Sequence, residues 1–175
     1  MPVYIALLRG INVGGSHILP MKELETLLVK LGCGSVKTYI QSGNVVFTHT
    51  EKSTGTLQKN IADAILAHAG FKPDIMVLTR RDLEKAVEKC PFEAATGKML
   101  HCFFLERQPK NPDGEKMNAL RSVTEQFHTG EKVFYLYAPD GIGRSKLAAQ
   151  AEKCLGVAAT ARNWNTVQKL LDMSK

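Results

Sequence analysis

The sequence predicts an α+β fold made of two ferredoxin-like split βαβ units in tandem, each of order βαββαβ, with helices packed on antiparallel sheets. Three observations carry that reading. Segments of period two alternate with segments of period 3.6 in the order strand, helix, strand, strand, helix, strand, and the order then restarts. A glycine-containing turn separates the paired strands in each half. The 175 residues suffice for one ordinary domain or two small ones.

The first strand runs from Val3 to Leu8. The first helix takes Pro20 at its opening position, carries Leu24, Leu27, Leu28 and Leu31 on one face, and stops at Gly32. Val36 to Gln41 alternates, Ser42-Gly43-Asn44 is a turn, and Val45 to Thr48 resumes as a strand. Leu57, Ile61 and Ile65 mark a second helix closed by Gly70, before a strand from Ile75 to Thr79. A connecting helix with Leu83, Ala86, Val87 and Cys90 on one side stops at Pro91. The second half repeats the pattern, though not the residues. Met99 to Leu105 is a strand, Met117 and Leu120 mark a short helix, and Phe127 and Val133 to Tyr137 flank a turn at Gly130-Glu131. Leu147, Ala151 and Leu155 define a helix ended by Gly156, Val157 to Arg162 closes the sheet, and a last helix carries Val167, Leu170 and Leu171. The expected divisions are 1–79, a connecting helix and linker over 80–98, and 99–175.

Composition narrows the class. Apolar residues make up 44% and charged residues 23%, the balance of a chain that folds unaided. The longest apolar runs fall well short of the roughly 20 residues that span a bilayer. With no basic n-region ahead of the first strand, the expected location is the cytoplasm. The net charge is +6, and 141–175 holds six basic residues against two acidic ones, so the tail carries most of the field. That surplus favours anionic partners, or serves as a solvated face that keeps the chain soluble. Cys33, Cys90, Cys102 and Cys154 form no C-x-x-C pair and have no histidine at metal-ligand spacing, so they read as buried, reduced thiols. The five histidines are scattered and none stands out as a general base; His17, in a glycine-rich region, is the best candidate among them, with a solvated loop histidine as the stronger reading.

Three stretches hold more glycine, asparagine and cation than packing demands. In Arg9-Gly10-Ile11-Asn12-Val13-Gly14-Gly15, glycines let a backbone approach an anion and Arg9 adds a charged fork, although the spacing matches neither a P-loop nor a dinucleotide turn. A tight strand-to-helix connection needing positive φ explains the same glycines. In Gly141-Ile142-Gly143-Arg144-Ser145-Lys146, two cations lead into a helix whose first amides suit an anion; the Ser145 hydroxyl reads as the helix cap. In Thr160-Ala161-Arg162-Asn163-Trp164-Asn165-Thr166, an arginine, two asparagines and the only tryptophan can stack on and bond around a ring. Core packing of Trp164 and helix capping by Asn165 or Thr166 compete with that reading. Ser42 and Asn44 add polar groups at a turn.

These segments, with Thr38-Tyr39-Ile40-Gln41-Ser42-Gly43-Asn44-Val45-Val46-Phe47, resemble the bacterial family called domain of unknown function 1697. The resemblance implies two ferredoxin-like α/β halves in a small cytoplasmic protein, and brings with it no established activity, substrate or cofactor. The leading expectation is a binding module for a phosphate-bearing small molecule or nucleic acid. Its expected contacts are Arg9, Gly10, Asn12, Gly14, Gly15, Ser42, Asn44, Arg144, Ser145, Lys146, Arg162, Asn163, Trp164 and Asn165. The alternatives are a transferase or hydrolase using the same cations, and a structural or protein-interaction module. The sequence names no catalytic residue, metal ligand, cofactor or oligomeric state.

Overall fold

The computed structural model describes residues 1–93 and 97–175; residues 94–96 of the expected linker lie outside them. The chain forms two compact units, Met1–Lys85 with Lys169–Lys175 (unit 1) and Ala86–Gln168 (unit 2).

Unit 1 contains β1 (Val3–Arg9), α1 (Met21–Lys30), β2 (Gly34–Tyr39), β3 (Asn44–Thr48), α2 (Thr54–Ala69) and β4 (Asp74–Thr79). Its sheet has the order β2-β3-β1-β4 and is antiparallel throughout. Tyr4, Ala6 and Leu8 of β1 share a core with Val45, Phe47 and Val77 and with the helix residues Leu24, Leu28, Leu57, Ile61 and Ile65. Burying each leucine or isoleucine contributes about 2 kcal/mol. Ile5 and Leu7 on the other face of β1 are also buried, which is why this strand is a continuous apolar run instead of an alternating one.

After α3 (Arg80–Glu88), unit 2 contains β5 (Leu100–Leu105), α4 (Gly114–Leu120), β6 (Gln126–Thr129), β7 (Val133–Tyr137), a 3-10 turn over Ile142–Arg144, α5 (Lys146–Leu155) and β8 (Ala159–Asn163); α6 (Trp164–Met173) follows. Its sheet order, β6-β7-β5-β8, repeats that of unit 1, so the chain holds two βαββαβ units in tandem. Phe103, Leu105, Phe134 and Leu136 pack against Met117, Leu147, Ala151 and Leu155.

The structure moves several boundaries. Pro20 caps α1 instead of opening it, because its φ of −59° comes with an extended ψ of 140°. The β2–β3 turn is Ile40–Gly43, and Asn44 already belongs to β3. β8 starts two residues late, and the cap of α6 is Asn163, whose Oδ1 accepts from the Asn165 amide at 2.9 Å. All four cysteines are free thiols. Burial pushes Cys33 up to about 11 and raises Cys90 and Cys102, so these thiols stay protonated at neutral pH.

Candidate functional site

Because β1 runs antiparallel to both β3 and β4, three connections meet at one end of the unit 1 sheet: the β1–α1 loop, the β2–β3 turn and the α2–β4 link. Arg9 ends β1, exposed and directly opposite Asp74, a pairing of opposite charges that favours this register. A miniature hairpin follows. The Asn12 amide donates to the His17 carbonyl at 3.0 Å, and the Ser16 amide to the Val13 carbonyl at 3.1 Å. At its tip Gly14 and Gly15 have φ of 61° and 73°, the two left-handed residues that a type I′ turn requires. A Cβ at either glycine would meet nothing within 4 Å, so conformation and not space selects glycine there.

One side chain fastens this hairpin to its surroundings. Asn12 Nδ2 donates to the carbonyls of Leu19 and Gln41, each at 2.9 Å, and Oδ1 accepts from the Leu19 amide at 2.7 Å. Beside those anchors stand three exposed apolar residues: Val13 (64% exposed), Ile18 (57%) and Ile40 (52%). Ile40 has φ of 49°, where a β-branched side chain is disfavoured by about 1–2 kcal/mol. His17, also left-handed, stacks on Phe71 with ring centroids 4.6 Å apart, and its Nδ1 lies 3.2 Å from the Gly10 carbonyl.

The turn itself is held from within. The Leu8 amide donates to the Gly43 carbonyl at 2.8 Å, and a Cβ on Gly43 would lie 2.7 Å from Leu8 Cβ and 2.9 Å from Ile11 Cδ1. Asn44 is fully buried, and its Nδ2 donates to the Tyr39 carbonyl and to Ser42 Oγ. Asn44 therefore shapes the turn from below, while Ser42 is exposed.

In unit 2, Ser145 caps α5: its Oγ accepts from the Ala148 amide at 3.0 Å and donates to Glu125 Oε2. Glu125 is buried, and its Oε1 accepts from the Ser122 amide at 2.9 Å. Sequence reasoning missed this carboxylate, although Ser122 and Glu125 stand at the spacing of a capping box. Arg144 and Lys146 are exposed and form no ion pair among the described residues. Arg162 is half-buried; burial pushes its guanidinium down to about 10, and Nη1 donates to the Ala161 carbonyl at 2.9 Å. Asn163 Nδ2 donates to the Lys98 carbonyl. Trp164 is buried, with Nε1 unpartnered among the described residues.

The expected contacts thus divide between the units. Arg9, Gly10, Asn12, Gly14, Gly15, Ser42 and Asn44 lie at one end of the unit 1 sheet. Arg144, Ser145 and Lys146 follow β7, and Arg162, Asn163, Trp164 and Asn165 close β8 and open α6, at a common end of the unit 2 sheet. β7 and β8 flank β5 there, two strand spacings or about 10 Å apart.

The family model described as Protein of unknown function (DUF1697) matches residues 1–135. The chain belongs to that family. The DUF1697 match takes in the whole loop end of unit 1 and reaches Tyr135 in β7; the Gly141–Lys146 and Thr160–Thr166 stretches lie beyond it. The conserved bacterial protein SP0830 from Streptococcus pneumoniae has a similar structure, with a TM-score of 0.72 and 24% identity over 99% of each chain, so the DUF1697 chain shares its two-sheet fold. No curated protein matches the sequence. Among the described residues, no helix is long and apolar enough to cross a membrane.

Proposed function

We propose that this DUF1697 chain is a binding module and that the loop end of unit 1 is its contact surface, taking a phosphate-bearing small molecule or a nucleic acid phosphate. The observation that carries the reading is the exposed left-handed backbone around Asn12. Folding alone favours glycine or asparagine at position 40, yet the chain holds an exposed isoleucine there in a disfavoured conformation. Strain of that kind persists where surrounding bonds enforce it, and it gathers at ligand-contacting segments. The Asn12 amide supplies the enforcement. The anionic character of the ligand is supported by Arg9 and His17 at the same end and by the net charge of +6.

The test is an amide-resolved NMR titration with a nucleoside monophosphate and with a short oligonucleotide, repeated at several salt concentrations. Saturable shifts at Gly10, Gly14, Gly15 and Ser16 that weaken with salt are expected. Shifts confined to unit 2, or no saturable shift with either compound, would overturn the assignment.

A further inference from the structure

Three histidines of unit 1 can be read by what their ring nitrogens do. His49 Nε2 lies 3.2 Å from the Leu31 carbonyl while Nδ1 accepts from the Glu51 amide at 2.8 Å, so both nitrogens are spent. His68 Nε2 pairs with Glu23 at 2.8 Å on the exposed surface of α1 and α2. His17 differs from both. A carbonyl oxygen only accepts, so the 3.2 Å contact with Gly10 requires the proton on Nδ1. The ring is further fixed by its stack on Phe71. Neutral His17 therefore carries its lone pair on Nε2, and among the described residues nothing takes that nitrogen.

A neutral imidazole held in this tautomer presents electron density to an arriving oxyanion; the imidazolium presents an N–H. We propose that His17 is the protonation-dependent contact of the unit 1 site: Nδ1–H stays on the Gly10 carbonyl, and Nε2–H of the charged ring donates to an oxygen of the bound anion. The inference rests on the binding reading above and adds to it a specific donor and a pH dependence. The charges around the ring belong to the elements that hold it. Arg9 precedes Gly10 and stands opposite Asp74 in the strand register, and Lys72, which follows Phe71, reaches Asp63 at 3.0 Å, a carboxylate it shares with Lys59 at 2.8 Å. Histidine is the side chain type whose charge changes with mild acidification, and His17 is the histidine at this end of the sheet.

Inorganic sulfate is the probe, because its charge is constant where histidine titrates. Its affinity is read from the Gly14 and Gly15 amide shifts between about pH 5.5 and about pH 8, in wild type and His17→Asn. Asparagine tolerates the left-handed backbone and cannot take up the proton. Wild-type affinity should fall about tenfold per pH unit on the alkaline side, the slope for one linked proton, and the variant should be flat and weak. In wild type alone, sulfate should also shift the His17 ring-proton titration to higher pH, a readout that does not depend on the variant folding. Saturable sulfate binding with no pH dependence, or an equal decline in His17→Asn, would overturn the role of His17 and leave the binding surface standing. Absence of saturable shifts at every pH, for sulfate and for the nucleotide alike, would remove the surface and His17 together.

Discussion

The β1–α1 loop of unit 1 hangs on a neutral side chain, the amide of Asn12, while the turn ahead of α5 in unit 2 hangs on a charged one, the carboxylate of Glu125. Each makes bonds to two separate pieces of chain. Asn12 is half-buried and bonds to buried Leu19 and to exposed Gln41, next to the strained, exposed Ile40; Glu125 is itself buried and bonds to exposed Ser122 and to buried Ser145, at the N-terminus of a helix whose positive dipole end suits a carboxylate. A buried clamp that satisfies its neighbours is explained by stability alone. A clamp beside an exposed isoleucine in a disfavoured conformation is not, and that asymmetry supports the contact surface proposed for unit 1.

The sharpest way to break the comparison is to crowd the unit 1 turn. Gly43→Ala adds a Cβ within 3 Å of Leu8 and Ile11 at φ of 88°, so strain and overpacking combine to a loss of about 3–4 kcal/mol in chemical denaturation. Gly14→Ala, where the same atom meets open space, should cost only about 1 kcal/mol. Equal losses at the two sites would show that packing beneath the turn does not brace this end.

Next is Glu125→Ala, which strips an acceptor from the buried Ser145 hydroxyl and from the amide of exposed Ser122. About 3 kcal/mol of stability should go, with no change in any ligand-induced shift in unit 1. Asn12→Ala releases the exposed Gln41 carbonyl together with the amide and carbonyl of buried Leu19, so its stability cost should be about 2 kcal/mol, while the nucleotide-induced shifts at Gly14 and Gly15 should be lost. A reversal of these two signatures would move the site to unit 2.

Legibility differed by element for physical reasons. Helix faces such as Leu24, Leu27, Leu28 and Leu31 were plain because burial imposes a period, and the sheet order follows from two repeats of one pattern. The role of Ser145 as a cap was legible because the hydroxyl acts three residues away. Glu125 acts across 20 residues, and Asn12 reaches Gln41 across 29, so neither partner is visible locally. The glycine pair was legible as a turn or a cradle, and the hairpin bonds on either side account for the turn. Ile40 gave no signal at all: a left-handed isoleucine has no sequence signature, since its conformation is imposed by the clamp.

That residue supplies a further test. Ile40→Asn should raise stability by about 1 kcal/mol, because asparagine accepts the left-handed backbone at lower cost. The same change should weaken nucleotide binding, read by the same amide shifts. A variant that is more stable and binds as before would make Ile40 an accident of the turn.

The smallest effect compares the thiols of the two units. Burial raises Cys33 in unit 1 to about 11, above its ordinary value near 9, so folding favours the protonated form. Its contribution is whole below about pH 9 and is lost as pH rises through about 11, the sign that follows from a raised folded-state value. Cys102 in unit 2 is raised further, by burial first and by Cys90 second, so its loss sets in over the same range and continues beyond it. Denaturation midpoints taken from about pH 8 to about pH 11 should therefore decline less steeply in Cys33→Ala than in wild type, with the remaining slope reduced again in Cys102→Ala. Parallel curves for wild type and both variants would mean that neither thiol is held away from water, and that the packing of the two cores around them is looser than their burial indicates.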